Sequence, residues 1–468
     1  MMISRRMVLA ASAAMPFAGM AHAADAVSIQ IHPQRLLRRL PGDFIGLGFE
    51  ASAVAVPGFL SSGNRAYVQL VRNLGQGVIR IGGNVSDYTR YEVGAAPAWG
   101  YKATVLNYES LRQLRGFLDA TGWKLIWGLN LGTGTVENAV AAARAVTELM
   151  GDRLVAFQIG NEPDLFVLAG HRAAPYGYGE WLAQYRRFKA AIRAALPGAR
   201  FAGPDISDAG VAWVEAFARD EGGEAAMLTA HHYIAGKDNL ASTHALLLRD
   251  EIRFQQNNLA RFQASAVKAG ISWRMSETAT LYGGGKKGVS DSFASALWVL
   301  DYLFVLAGHG AAGANLQTGI NHLGRLSYYS PLTDDQKGNY GAAPEYYGLL
   351  AFAQVSQGDL VAVDLNKSGV NITAYAVREE GGIISVAVIN KDINRDAAVA
   401  ISGAPQGEAQ AMRLAAPSVS ALSGVTLGGA RVSGDGRWGG QSEAVRIRGG
   451  QALLNVPASS AALVTFTA

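Results

Sequence analysis

Between about residues 44 and 356 the chain alternates apolar, β-branched runs with amphipathic helical stretches, and this alternation constrains the fold more than any other feature. The strand-like runs are Phe44–Gly48, Val78–Gly83, Lys124–Leu131, Leu154–Gly160, Arg200–Ile206, Leu228–Ile234, Ile271–Thr278 and Gly313–Gly319. They are near-continuously apolar, as strands covered on both faces are. Between them lie helical patterns such as Glu137–Met150, Tyr178–Leu196 and Ser290–Leu306. In Tyr178–Leu196, Trp181, Leu182, Tyr185, Phe188, Ile192 and Ala195 share one face, while Arg186, Arg187, Lys189 and Arg193 form a solvated side. Eight strand–helix units over about 310 residues predict an α/β fold of the (β/α)8 TIM-barrel type. A doubly wound sheet would instead require a nucleotide-type glycine loop between a strand and a helix. Gly308-His309-Gly310-Ala311-Ala312-Gly313 matches that spacing but follows a helix and precedes a strand, the reverse of what phosphate binding needs.

The pattern changes after residue 358. Short alternating runs at Ile383–Ile389, Ala409–Leu414, Ala444–Ile447 and Ala462–Phe466 are separated by glycine-rich turns, which predicts an appended all-β sandwich. Ala26–Ile31 alternates too and is expected to add a strand to it. The expected organisation is therefore a barrel over 40–357 and a sandwich built from 24–39 plus 358–468. Ser4-Arg5-Arg6-Met7-Val8-Leu9, an Ala-rich apolar run and Ala21-His22-Ala23 read as a twin-arginine-type signal peptide over 1–23, and hence as export to the periplasm or beyond.

Composition narrows the function. There is no cysteine, which excludes disulfides, thiolate metal sites and a cysteine nucleophile. The formal net charge is +4 and falls to +2 once Arg5 and Arg6 leave with the leader, so nucleic acid is not an expected partner. No run beyond the leader approaches the ~18–20 apolar residues of a membrane span.

In a barrel of this type, chemistry sits at the C-terminal strand ends. Two glutamates fall there. Glu162 closes Phe157-Gln158-Ile159-Gly160-Asn161-Glu162-Pro163 on the fourth strand, and Glu277 closes Trp273-Arg274-Met275-Ser276-Glu277-Thr278 on the seventh. Strands four and seven face each other across a barrel mouth, so the pair can flank a sugar ring. Glycoside cleavage needs one carboxyl group carrying a proton for the leaving oxygen and a second carboxylate opposite it.

These residues resemble the retaining glycosidases of clan A. Ser276-Glu277-Thr278-Ala279-Thr280-Leu281-Tyr282-Gly283-Gly284-Gly285, the run Val289–Asp301, and Ala343-Pro344-Glu345-Tyr346-Tyr347-Gly348 resemble glycoside hydrolase family 79, the β-glucuronidases and heparanases. The resemblance implies a retaining hydrolase of β-D-glucuronides acting by double displacement. Its substrate would be a glucuronide or a glucuronic-acid-containing glycan, with neither metal nor cofactor. It implies Glu162 as general acid/base, Glu277 as nucleophile, and Asn161 on the sugar 2-hydroxyl. Tyr233 would orient Glu277, Glu50 and Asn84 would contact sugar hydroxyls, and Gln317, Tyr328 and Tyr329 would line the strand-eight loop. Tyr282, Gly283 and Gly284 would hold the uronate carboxylate, since successive glycine N–H groups can approach an anion closely. Lys286 and Lys287 follow this loop and serve equally as solvated residues or as attraction for an acidic polymer. His231 and His232 are read as strand packing, because adjacent strand residues face opposite ways. The alternatives are a clan relative acting on a neutral sugar such as a β-xyloside, a non-catalytic carbohydrate-binding protein, and a cofactor oxidoreductase.

Overall fold

The structure is a computed structural model and describes residues 26–238, 244–250, 254–319, 327–405 and 407–467. The expected leader lies outside the described residues.

Eight parallel strands form the central sheet among the described residues: Ile45–Glu50, Val78–Gly82, Lys124–Leu129, Leu154–Ile159, Ala202–Ile206, Met227–Gly236, Ser272–Tyr282 and Ala311–Gln317. In chain order these are barrel strands one to eight. Hydrogen-bonded neighbours run four-three-two-one-eight-seven-six-five. A parallel bridge between Phe157 and Phe201, with the Phe157 N–H donating to the Arg200 carbonyl at 2.9 Å, brings strands four and five together and closes the ring. All eight apolar runs became strands because helices cover them outside and side chains fill them inside. Helices Val136–Met150, Tyr178–Ala195 and Phe293–Gly308 lie where the periodicity puts them.

The lower, N-terminal end of the barrel is filled by the buried Arg274. Its guanidinium donates to Asn315 Oδ1 at 2.7 Å and to the carbonyls of Asp43, Phe44 and Ala312. The upper end holds a second buried arginine, Arg80, which belongs to the site described below.

An 11-stranded mixed sheet, counted among the described residues, makes the second unit. The N-terminal strand Val27–Arg39 sits inside it, antiparallel to Asp359–Asn366 and parallel to Ala397–Ser402. The sheet curls around its own core of Val27, Ile29, Ile31, Val386, Val388, Ile401, Val464 and Phe466. Alternate residues of the same strands, Ala387, Ile389, Ala461 and Leu463, join the core of the barrel instead. Strands Ile384–Asn390 and Ser460–Thr467 are thus buried on both faces, and the sandwich is fused to the barrel helices. Buried polar contacts reinforce the junction: Lys391 pairs with Asp301 at 2.7 Å, and Tyr375 donates to the same carboxylate at 2.8 Å. The stretch expected as one strand over Ala444–Ile447 is two short pieces, because it changes neighbours. Glu443–Ala444 pairs with Glu408–Ala415, and Arg446–Arg448 pairs with Gln451–Val456.

Candidate active site

The C-terminal ends of the barrel strands carry a buried polar cluster centred on Arg80, in the second strand. Its guanidinium reaches Glu277 Oε2 at 2.5 Å, Asp205 Oδ2 at 2.6 Å, Asn161 Oδ1 at 2.7 Å and Gln158 Oε1 at 3.1 Å. Side chains from strands two, four, five and seven are thereby tied to one cation. Burial disfavours that charge, but Asp205 and Glu277 outweigh it and hold the Arg80 pKa above its ordinary value. Asp205 is itself buried, which would raise its pKa. Arg80, His231 and a hydrogen bond from Ser276 Oγ at 2.5 Å reverse this and keep the carboxylate well below its usual range.

Glu277 lies at a break in register between strands seven and six, where Met275 pairs with Ala230 and Glu277 already pairs with His231. Arg80 holds one of its oxygens, and the Tyr233 hydroxyl donates to the other, Oε1, at 2.7 Å. Burial and Glu277 together push the Tyr233 phenol far above its ordinary pKa, so it remains a donor.

Glu162 stands just beyond strand four in the left-handed conformation, at φ 47°. Non-glycine residues adopt this region at a cost of roughly 1–3 kcal/mol. Here Pro163 opens a short 3-10 turn, and the Glu162 N–H donates to the Asp205 carbonyl at 2.9 Å. Its neighbour Asn161 is fixed by an N–H bond to Asp87 Oδ2 at 2.9 Å. The result is a carboxyl group turned into the mouth. One oxygen of Glu162, one oxygen of Glu277 and a ring nitrogen of His231 all lie within 4.8 Å of one another. Burial raises the Glu162 pKa, contact with His231 works against this, and the Glu277 charge adds to the rise.

His231 and His232 do face opposite ways. His232 stacks on Phe254 and contacts Asp208, outside the mouth. His231 turns inward and bridges two carboxyl groups, with Nδ1 3.1 Å from Glu162 Oε1 and Nε2 3.1 Å from Asp205 Oδ1. Burial lowers its pKa, but Asp205 and Glu277 dominate and lift it to about 10. His231 is therefore part of the polar cluster around Glu162 rather than plain packing.

The other expected residues surround this pair. Glu50, at the end of strand one, accepts from the Val85 N–H at 2.8 Å, and burial with the Glu277 charge pushes its pKa up to about 8. Asn84 begins the turn after strand two and accepts from Asn161 Nδ2 at 3.1 Å while remaining exposed. Gln317, at the end of strand eight, lies over Gly48 of strand one, and its buried Oε1 has no partner among the described residues. A buried orphan acceptor beside a cleft is a natural contact for a ligand hydroxyl.

The Tyr282 segment borders the same cleft. The Tyr282 ring packs edge-on to Tyr233 at 6.4 Å, and Tyr329 lies 6.1 Å from Tyr233 on another side. Gly283, Gly284 and Gly285 have φ of 80°, 95° and 78°, a run that side chains would strain. The Gly284 carbonyl accepts from the Tyr328 N–H at 2.6 Å, and the Gly285 N–H returns to Leu281. Among the described residues the amides of Gly283 and Gly284 donate to no backbone carbonyl. Lys286 is half-buried and Lys287 exposed, and neither is part of the glutamate cluster.

The Glu162–His231–Glu277 spacing would suit a metal ion, but its chemistry does not. Both ring nitrogens of His231 are already engaged, by Glu162 and Asp205, and Arg80 and Tyr233 already hold the Glu277 oxygens. Sequence reasoning misses Arg80, Asp205 and the inward role of His231. A signal is present for two of them: Arg80 and Asp205 are each a charged residue inside an otherwise apolar strand.

A closed barrel with two carboxyl groups meeting above strands four and seven, backed by an all-β domain, is the build of a glycosidase. Residues 374–463 match the glycosyl hydrolase family 79 C-terminal beta domain. A β-glucuronidase from Aspergillus niger is 27% identical over 377 residues, covering 71% of this chain and 68% of that protein. The heparanase of Mus musculus is 23% identical over 402 residues, covering 72% of each. Among solved structures, a 4-O-α-L-rhamnosyl-β-D-glucuronidase from Fusarium oxysporum shares the fold with a TM-score of 0.76 at 20% identity, covering 94% of this chain and all of that one. An α-L-arabinofuranosidase from Thermotoga maritima does so at 0.71 and 15% identity, again over 94% of this chain and all of its own.

Proposed function

We propose that this chain hydrolyses β-D-glucuronides with retention of anomeric configuration, with Glu277 as nucleophile and Glu162 as general acid/base. The observation that carries this reading is that the two carboxyl groups each bring one oxygen to within 4.8 Å of the other. Retaining enzymes hold them about 5–5.5 Å apart, whereas inverting enzymes leave about 6.5–9.5 Å for an intervening water. In the first half-reaction Glu162 protonates the glycosidic oxygen, the bond to the anomeric carbon breaks, and a Glu277 oxygen bonds to that carbon. In the second, Glu162 takes a proton from water, and the water oxygen displaces Glu277. Arg80 and Tyr233 keep Glu277 aimed and charge-balanced. Asn161, itself gripped by Arg80 and Asp87, presents its amide to the 2-hydroxyl.

Uronate preference rests on the Tyr282–Gly284 segment. Its two amides without a backbone acceptor and the hydroxyl of the exposed Tyr282 supply donors for a carboxylate without an arginine. In this reading Glu50 and Asn84 contact hydroxyls of the same sugar, as do Gln317, which neighbours the strand of Glu50, and Tyr328 and Tyr329 from the strand-eight loop. The test is turnover of an aryl β-glucuronide against the matching aryl β-glucoside, with the first-formed anomer read by NMR. The expected result is a β-configured product and a preference for the glucuronide of at least about 100-fold in kcat/KM, the scale set by charge-assisted hydrogen bonds that a neutral sugar cannot make. An α product would remove the retaining assignment, and equal turnover of the two sugars would remove the uronate assignment.

Among the described residues no helix is long and apolar enough to cross a membrane. We further propose export through a twin-arginine route, on the strength of Arg5-Arg6, the apolar run and Ala21-His22-Ala23. Replacing both arginines with lysine is expected to leave the protein, uncleaved, in the cytoplasm of an expressing bacterium. Normal processing of that variant would refute the route.

A further inference from the structure

Glu162 has two oxygens, and only one of them can hand a proton to a leaving group. Oε1 is occupied by His231 Nδ1 at 3.1 Å, and the opposite ring nitrogen of His231 is anchored on Asp205 Oδ1 at 3.1 Å. Asp205 is in turn fixed by Arg80 at 2.6 Å and Ser276 at 2.5 Å, so the imidazole cannot turn without breaking a buried network. We propose that His231 is a positioning residue: as an imidazolium it donates both N–H groups, keeps Oε1 of Glu162 an acceptor, and confines the catalytic proton to Oε2.

The proposal rests on the assignment of Glu162 as acid/base. It excludes the other arrangement of the same atoms, in which a neutral imidazole accepts a proton held on Oε1. That proton would be spent inside the cluster and lost to the leaving group. Charge balance favours the imidazolium. The groups facing His231 and Glu162 are Asp205 from strand five, Glu277 from strand seven, Asp164 beyond strand four, and Arg80 from strand two, whose Nη2 is 3.5 Å from His231 Nε2. With Glu162 protonated, Arg80 and His231 balance Asp205 and Glu277, while Asp164 is held apart by the Ser207 N–H and hydroxyl. When Glu162 gives up its Oε2 proton to the glycosidic oxygen, the new carboxylate already has a cation on Oε1. When it later takes a proton from water, Oε2 is again the free atom. One fixed imidazolium thus serves both half-reactions, and neither requires Glu162 to rotate.

Asparagine and glutamine separate this role from simple structure. In His231→Asn the side-chain amide can occupy the place of Nδ1 and donate to Oε1. In His231→Gln it reaches the place of Nε2 and donates only to Asp205. Aryl β-glucuronides with leaving groups of graded acidity read the proton transfer. On a phenyl leaving group His231→Gln is expected to lose kcat/KM on the order of tenfold or more, part of the 10²–10⁴ that a general acid supplies. On 2,4-dinitrophenyl it should lose little, and His231→Asn should recover most of the difference. Both variants remove a positive charge beside Glu162, so both should move the alkaline limb of the pH profile upward. Equal losses on every leaving group, or no Asn–Gln difference, would overturn the proposal. A nitrogen-15 spectrum of the unmodified protein near neutral pH must also show both His231 ring nitrogens protonated. A neutral imidazole there overturns the proposal whatever the turnover, while absence of wild-type turnover on any glucuronide would count against the proposed function instead.

Discussion

Glu277→Gln is expected to abolish glucuronide hydrolysis, lowering kcat by roughly 10⁴-fold or more, while the protein stays folded. The amide is nearly isosteric with the carboxylate. Its oxygen can still accept from the Tyr233 hydroxyl, and Arg80 keeps Asp205, Asn161 and Gln158 as partners. What disappears is the nucleophile, because an amide oxygen does not form a stable glycosyl ester. Steady-state rates on an aryl glucuronide, beside the thermal midpoints of the two proteins, check both halves of the statement. Activity within tenfold of the parent would show that Glu277 does not attack the sugar.

The second large effect is on stability. In Arg80→Met the shape of the strand is kept, but the Asp205 and Glu277 carboxyl groups lose their shared cation inside the barrel. Removing one member of a buried ion pair costs about 3–5 kcal/mol, because the partner's charge is left uncompensated. The pH dependence carries a definite sign. The native pKa of Asp205 is depressed, so its stabilising contribution is present above the unfolded-state pKa of about 4 and is lost as pH falls below it. The stability gap between parent and Arg80→Met should therefore be widest near neutrality and shrink under acid. Denaturant titrations at several pH values measure it, and a gap independent of pH would contradict the role assigned to Arg80. Loss of turnover is expected alongside, since Arg80 also fixes Asn161 and Glu277.

The barrel is legible in the sequence because a strand covered on both faces leaves an unbroken apolar run, and eight such runs separated by helices permit few other closed arrangements. Glu162 and Glu277 stand out as acids ending runs of that kind. The sandwich is only partly legible. Strands Asp359–Asn366, Ile372–Arg378, Ala397–Ser402 and Gln451–Val456 give a weaker local signal, being short and mixed with polar residues. Their partners are remote in sequence: Val27 meets Val399 and Ile31 meets Val363, pairings that no local pattern encodes. Arg80, Asp205 and His231 are obscured for a related reason. Arg80 and Asp205 are each one charged residue in an apolar strand, His231 shares its strand with His232 and Tyr233, and the meaning of each comes from other strands that bring their own polar residues to the same level. Glu345 shows the same difficulty in reverse. It belongs to a recognisable run, yet its carboxyl group is fully buried with neither oxygen hydrogen-bonded among the described residues, and burial alone raises its pKa far above the ordinary value.

Val27–Arg39 is the first described strand to leave the ribosome, yet the neighbours on its two sides are made more than 300 residues later. The double-sided strand Ser460–Thr467, which closes both the sandwich and the outer packing of the barrel helices, comes later still. Folding of this chain therefore cannot finish until that strand has been synthesised, and a nascent chain halted anywhere before residue 460 carries an unsealed barrel wall and an orphan leading strand.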